Sequence, residues 1–455
     1  MRILYAVYLV LILPCAIESA PPDVEPSITI VREDHPIRTD GARLPVVEPH
    51  LAVDPKDGNH LVAAAIVIKK SDLSVADCAT FVSFDGGMAW TRYDLSLPEC
   101  GDPWVAIGED GTILLTVLGR APGQDDRPDH LLVFRSADGG RTWQGPQSLG
   151  TGHDHETIAV DRSGGPYRGS FYVASQAYAE EVSGKTRSVA FVARSSDGGR
   201  SFQPATRLFL SNLSLNAQNP VVLSDGTLVV SFEDYARQTD KGQAWLERER
   251  SWTLTSTDGG KTFSVPMLAS EGCQKSFGTL AVDPSSGPFR DRLYWICTSD
   301  RYENVLLHYS SDRGEQWTKP IRVNQGSGPS PYVRTASVAV NRDGVVGIAW
   351  YDGRNGGARY RREFICQEIY FTASLDGGNT FLPEVKVSSE KSCPMLPQNG
   401  DVGWRWPAGG DYMGFAAAPD GQFVLLWADS RSEMYQLRTA TLKVSAPGRG
   451  PSSAH

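Results

Sequence analysis

Apolar residues along this chain gather in short runs that come in pairs, each pair split by a tight turn. His50-Leu-Ala-Val-Asp54 is followed by Leu61 to Ile66, and Trp104 to Ile107 by Thr112 to Leu118. Thr157 to Val160 precedes Ser170 to Ala174, and Pro220 to Leu223 precedes Thr227 to Phe232. The last three pairs are Thr279 to Val282 with Arg292 to Ile296, Ala336 to Val340 with Val345 to Trp350, and Gly414 to Ala418 with Gln422 to Trp427. Runs this short and this continuously apolar predict strands buried on both faces. Seven such pairs predict an all-β chain.

A second pattern interlocks with the first. Ser83-Phe-Asp-Gly-Gly-Met-Ala-Trp90 returns at Ser136–Trp143, Ser195–Phe202, Ser256–Phe263, Ser310–Trp317 and Ser374–Phe381. The copies lie between 53 residues (Ser83 to Ser136) and 64 residues (Ser310 to Ser374) apart, the signature of a repeat architecture. The glycines permit the positive φ of a tight hairpin. The Ser and Asp side chains can satisfy backbone N–H groups in that turn, and the aromatic ring can bury itself between neighbouring sheets. These aspartates are therefore turn formers rather than catalytic acids.

Six copies of Ser-x-Asp-x-Gly-x-x-(Trp/Phe) resemble the Asp-box, or BNR repeat, of the sialidase superfamily. The resemblance runs from about residue 45 to about residue 440 and implies a β-propeller of four-stranded blades. Seven inner pairs against six Asp-boxes then carry information. The seventh pair is followed by one strand, Met434 to Val444, and then by a Pro/Gly/Ser-rich end. Near the N-terminus, Ser27 to Arg32 reads as a strand with no hairpin partner. The expected fold is a seven-bladed β-propeller with six Asp-box hairpins, its ring closed by pairing the N-terminal strand with the last one. That closure removes an exposed sheet edge.

Composition narrows the setting. Arg2, an apolar run from Ile3 to Leu13 and small residues to Ala20 read as a secretory signal peptide over 1–20, too short for a membrane span. A single propeller domain is expected over 21–445 and a disordered tail over 446–455. The protein is expected to be secreted or periplasmic and monomeric. The net charge of −9 disfavours nucleic acid as a partner. Six cysteines follow the leader, and an even number in an exported chain suggests disulfides. Cys78–Cys100 and Cys366–Cys393 flank a turn motif at equivalent places, and Cys273–Cys297 would join one repeat to the next. No CxxC spacing is present, so neither a metal nor a cofactor is expected.

The candidate chemistry lies where the innermost strands begin. Glu48 and His50, Asp102 and Trp104, Asp154-His155-Glu156, Asn216 to Asn219, Lys275, Arg334 and Asp411-Tyr412 all open such strands. Carboxylates, arginines and a tyrosine around one channel mouth suit a sugar: paired carboxylates do acid–base work on glycosides, and arginine grips carboxylates. Asp300-Arg301, Asp352-Gly-Arg354 and Asp429-Ser-Arg431 recur at the ends of second strands, where ion pairs that tie strand ends are the simpler reading. His153-Asp154-His155-Glu156 does not present a metal site, because alternate residues of a strand face opposite ways.

The sialidase resemblance implies a tyrosine nucleophile, Tyr412, with Glu271 as its partner and Asp102 or Glu156 as acid/base. It implies Arg301 and Arg334 as ligand-binding arginines, with His50, His155, Glu48 and Asp411 lining the site. The family's first arginine belongs where this chain reads Val47-Glu48-Pro49-His50. An acid there repels a sialate carboxylate and argues against efficient cleavage of simple sialosides. The expected function is a glycoside hydrolase acting on a glycan. The alternatives are a non-catalytic propeller that binds glycans or proteins, and a polysaccharide lyase using His50 or His155 with Tyr412 and an arginine.

Overall fold

The computed structural model describes residues 25–446, except 39–42, 71–72, 74, 96, 98, 121–129, 183–184, 240–241, 275–279, 300, 327–331 and 357–364. The leader over 1–20, the tail from 447, Lys275 and Asp300 lie outside the described residues.

Nearly every described element is a strand. The chain opens with β1 (Ser27–Pro36) and then runs through antiparallel units. The first unit is β2 (Val46–Val53), β3 (Leu61–Ile68), β4 (Ala76–Ser83) and β5 (Thr91–Asp94). The second is β6 (Glu99–Ile107), β7 (Ile113–Arg120), β8 (His130–Ser136) and β9 (Gln144–Ser148). The third is β10 (His153–Val160), β11 (Phe171–Val182), β12 (Lys185–Ser195) and β13 (Thr206–Ser211). The fourth is β14 (Leu213–Val222), β15 (Leu228–Thr239), β16 (Gly242–Ser256) and β17 (Met267–Gln274). The fifth is β18 (Leu280–Val282), β19 (Leu293–Ser299), β20 (Val305–Ser310) and β21 (Ile321–Arg322). The sixth is β22 (Val333–Val340), β23 (Val346–Asp352), β24 (Glu368–Ser374) and β25 (Val385–Lys386). A short helix, α1 (Asp401–Arg405), precedes the last strands, β26 (Gly414–Ala417), β27 (Phe423–Asp429) and β28 (Gln436–Ser445).

The fourth and fifth units join into one eight-stranded sheet, because β17 pairs with β19 through Cys273–Ser299 and Gln274–Thr298. The last unit takes its fourth strand from the start of the chain. β1 runs antiparallel to β28, with Ser27 opposite Ser445 and Pro36 opposite Arg438. The pairing is longer than the Ser27–Arg32 run read from sequence, and Asp34 explains its extension. The Asp34 carboxylate is buried and accepts the Arg431 Nη1–H at 2.7 Å, the Ser389 N–H at 2.7 Å and an Arg438 N–H.

The second strands behave as their sequences predict. Every residue of β3, β23 and β27 is buried. The first strands differ. In β2, β10 and β22 the alanines Ala52, Ala159 and Ala339 are only half-buried, because they line a central cavity. First strands of successive units pack side by side: β2 with β6, β6 with β10, β10 with β14, β14 with β18, β18 with β22, β22 with β26, and β26 with β2.

The six turn motifs are built alike. In the first, Ser83 Oγ–H donates to Asp85 Oδ1 at 2.8 Å and accepts the Gly87 N–H at 2.8 Å. Asp85 Oδ1 takes the Met88 and Ala89 N–H groups at 2.9 and 3.0 Å. Gly86 and Gly87 hold φ of 71° and 92°. The fifth copy puts Arg313 at φ 65° where the others have glycine, and its guanidinium pairs with Asp225 at 2.8 Å. Trp143 bridges two units, its Nε1–H donating to Thr80 Oγ1 of β4 at 3.2 Å. Disulfides join Cys78–Cys100, Cys273–Cys297 and Cys366–Cys393, the three pairs expected from sequence.

Candidate functional site at the channel mouth

A bulge recurs where the first strands begin. The register of β2, β6, β10 and β22 slips at Val47/His50, Gly101/Trp104, Asp154/Glu156 and Arg334/Ser337. At each slip one residue other than glycine takes a positive φ: Glu48 at 52°, Asp102 at 47°, His155 at 47° and Thr335 at 52°. Such backbone costs of order 1–3 kcal/mol per residue and tends to collect at functional sites. Pro49 and Pro103 follow two of these residues. Proline brings no ladder N–H, so it fits a bulge where pairing is already broken.

The bulges bring acids together. Glu48, Asp102, Asp154, His155, Asn216, Arg405, Asp411 and Tyr412 enclose a cavity of about 50 Å³. Glu48 is 2% exposed, and its Oε1 accepts the Asp411 N–H at 3.1 Å. Burial, then the charges of Asp102 and Asp411, hold the Glu48 carboxyl well above the usual carboxylate range. Asp102 is only half-buried, and burial together with the Asp154 charge pushes it up to about 7. The Glu48 side chain works against that rise at Asp102, and both carboxyl groups still hold a proton more tightly than an exposed carboxylate does. Asp411 makes an ion pair with Arg405 at 3.4 Å. Glu156 is fully buried, within electrostatic reach of Asp102 and Asp154. Burial, then the charges of Asp102 and Asp154, hold its pKa well above the usual carboxylate range.

An aromatic layer closes the cavity from beneath. His50 stacks on Trp104 with ring centroids 3.8 Å apart, and Trp104 lies 5.4 Å from the Tyr412 ring. His50 Nδ1 accepts the Val105 N–H at 3.2 Å, which leaves its proton on Nε2. Burial, with the nearby His155, pushes His50 down to about 3. Below this layer a channel of about 510 Å³ is lined by residues of every first strand together with Arg162, Asp283 and Asp291.

The residues named from sequence divide into groups. Glu48, Asp102, His155, Asp411 and Tyr412 share the small cavity, His50 lines the channel beneath it, and Glu156 is within electrostatic reach of Asp102 and Asp154. Arg334 is within electrostatic reach of Asp411 and stacks over Tyr302, 5.5 Å from its centroid. Arg301 and Glu271 are not brought in. Arg301 is exposed in the turn after β19, and Glu271 is exposed on the outer strand β17, opposite Arg250. β17 lies three strands out from β14, the first strand of its unit, so Glu271 does not partner Tyr412. Tyr412 does not have the setting of a nucleophile either. Its hydroxyl is buried without a hydrogen-bond partner, and burial with Glu48, Asp102, Glu156 and Asp411 raises its pKa well above 10.

Arg405 was missed by sequence reasoning, because it lies on α1 within the link between two units rather than at the start of a strand. The Asp-x-Arg elements form buried ion pairs, as the simpler reading held. Arg354 bonds Asp352 and Glu384, each at 2.6 Å, and Arg431 bonds Asp429 and Asp34, each at 2.7 Å.

A family model described as a BNR repeat-like domain matches residues 171–356. Over that stretch the chain is similar to BNR repeat-like domains. No curated protein matches the sequence. Among solved structures it is similar to a Hadza microbial sialidase, Hz136, at 14% identity and a TM-score of 0.49, covering 85% of this chain and 73% of that one. It is similar to a Dyadobacter fermentans protein of unknown function at 12% identity and a TM-score of 0.49, covering 92% and 99%. An α-L-arabinofuranosidase of Fusarium graminearum matches at 13% identity and a TM-score of 0.46, covering 76% and 93%.

Proposed function

We propose that this protein is an exported, monomeric glycoside hydrolase that acts on uncharged glycans at the mouth of a seven-bladed β-propeller. The propeller reading rests on the packing order of the first strands, in which the seventh lies against the first. It rests also on one channel lined by residues from all seven units. The domain spans 21–445, and β1 closes it. Export is supported by the leader-like N-terminus and three disulfides.

The observation that carries the function is the gathering of four carboxyl groups, Glu48, Asp102, Asp154 and Asp411, around one small cavity. Glycoside hydrolysis needs one carboxyl that gives a proton to the leaving oxygen and one carboxylate opposite it. Asp102 is the acid: it is half-exposed, and with a pKa of about 7 it keeps its proton into the neutral range. Asp411, paired with Arg405, is the carboxylate that meets the sugar or its attacking water. Tyr412, Trp104 and His50 form the floor, and Glu48 holds Asp411 by its backbone.

The same acids set the substrate class. Arg405 is already paired with Asp411, and Glu48 stands in the cavity in place of a further arginine, so the mouth holds no surplus of positive charge for a sialate or uronate carboxylate. A screen of fluorogenic glycosides together with a glycan array tests the reading. Turnover of neutral glycosides that disappears in Asp102→Asn supports it. Binding without turnover would make the protein a carbohydrate-binding propeller, and unsaturated products would make it a lyase.

A further inference from the structure

Where the fourth and fifth units join, three buried side chains make a donor set that the function above does not use. Cys273 on β17, Cys297 on β19 and His308 on β20 each offer a ligand atom, and the three atoms lie within 4.8 Å of one another. Their exposures are 2%, 0% and 4%. Sequence spacing hides the set, because three strands of the joined sheet supply one residue each.

The histidine is prepared for a ligand. His308 Nδ1 lies 3.0 Å from the Thr318 carbonyl oxygen, which can only accept, so Nδ1 carries the ring proton. Nε2 is then a bare lone pair, and it is buried without a hydrogen-bond partner. A buried polar atom of this kind calls for an explanation. Fixing the tautomer through the other ring nitrogen is how metal-binding histidines are usually oriented. Beside the sulfurs, the Ser270 hydroxyl sits 2.7 Å from Cys273 Sγ and can donate to it, as it could to a thiolate. Leu280, Leu293 and Trp295 pack around the pair and keep it dry.

We propose that Cys273, Cys297 and His308 form a redox-gated site for a soft or borderline d¹⁰ cation, Zn²⁺ or Cu⁺. The disulfide is its closed state. A dithiol reductant opens it: the Cys273–Cys297 S–S bond breaks to two thiols, and the reductant closes to its own disulfide, supplying two electrons and two protons. Metal binding then releases both thiol protons to solvent. Two thiolates and one imidazole are a set that such cations select. The site straddles the β17–β19 pairing, the hydrogen-bonded joint between the fourth and fifth units. A metal there would hold together in the reduced protein the joint that the disulfide holds in the oxidised one.

The test uses Co²⁺ as the probe, on the full protein reduced with a dithiol that is then removed under anaerobic conditions. Thiolate-to-cobalt absorption and circular dichroism are followed together. The expected result is one Co²⁺ per chain in the reduced protein, none in the oxidised protein, and displacement by Zn²⁺. His308→Gln should weaken Co²⁺ affinity about tenfold or more, and Cys273→Ser with Cys297→Ser should abolish the thiolate band. The other four cysteines reduce under the same conditions and serve as the internal control. Cobalt binding that survives in the double serine variant, or is unchanged in His308→Gln, overturns the proposal. So does a reduced protein that binds no Co²⁺, or one that unfolds and is not restored by Zn²⁺.

Discussion

The Glu48 carboxyl accepts the backbone N–H of Asp411 at 3.1 Å, although 363 residues separate the two. Glu48 begins the first unit and Asp411 leads into the last, so this bond ties the two ends of the repeat together at the candidate site. Folding therefore completes the site only when the last unit docks on the first.

Asp102 makes the clearest pH prediction. Its folded pKa of about 7 lies above its ordinary value of 3.8. The folded state then holds the proton more tightly than the unfolded chain, so stability falls as pH rises from about 4 to about 7. Asp102→Asn removes the titration. Thermal melts across that window should show a flatter profile for the variant and a higher melting temperature than wild type at pH 7–8. Parallel profiles for the two proteins would contradict the assignment.

Asp34 predicts the opposite slope. Burial alone would raise its pKa, but the Ser389 N–H and the Arg438 and Arg431 guanidinium groups outweigh it and hold the group below 3.8. Stability from Asp34 is thus present above about pH 4 and is lost as pH falls through the lowered folded value. Asp34→Ala takes the buried carboxylate from Arg438 and leaves Arg431 with Asp429 alone, and it should cost about 3–5 kcal/mol at pH 7. Urea unfolding measures it, and a loss below about 1 kcal/mol would show that β1 does not depend on this carboxylate.

Tyr412 separates packing from chemistry. Its hydroxyl has no partner, so Tyr412→Phe should leave stability unchanged or slightly higher and keep turnover within about twofold. Tyr412→Ala should cost about 3–5 kcal/mol, because the ring packs on Trp104 in the floor. Kinetics and melts on both variants decide the matter. Abolished turnover in a folded Tyr412→Phe would restore the tyrosine as nucleophile.

Much of this was legible in the sequence because a repeat states each rule several times. Seven apolar pairs and six turn motifs gave the units, and the unpaired Ser27–Arg32 run gave the strand that completes the last sheet. The acids at the channel mouth were legible because each opens a first strand. Arg301 and Glu271 misled for the complementary reason: proximity along the chain does not say which edge of a sheet a residue occupies. The positive φ at Glu48 and Asp102 leaves only an acid–proline pair in the sequence as a trace. Arg405 leaves none, because a single helical turn in a linking segment carries it.

The central claim is that the carboxyl cluster hydrolyses uncharged glycans. Its most direct test is sugar release from matched neutral and sialylated oligosaccharides by wild type and Asp102→Asn, followed against pH. The account predicts release from the neutral substrate alone, falling above about pH 7, and at least about 100-fold less in a folded Asp102→Asn. Robust release of sialic acid by wild type, or equal turnover by the variant, would contradict it.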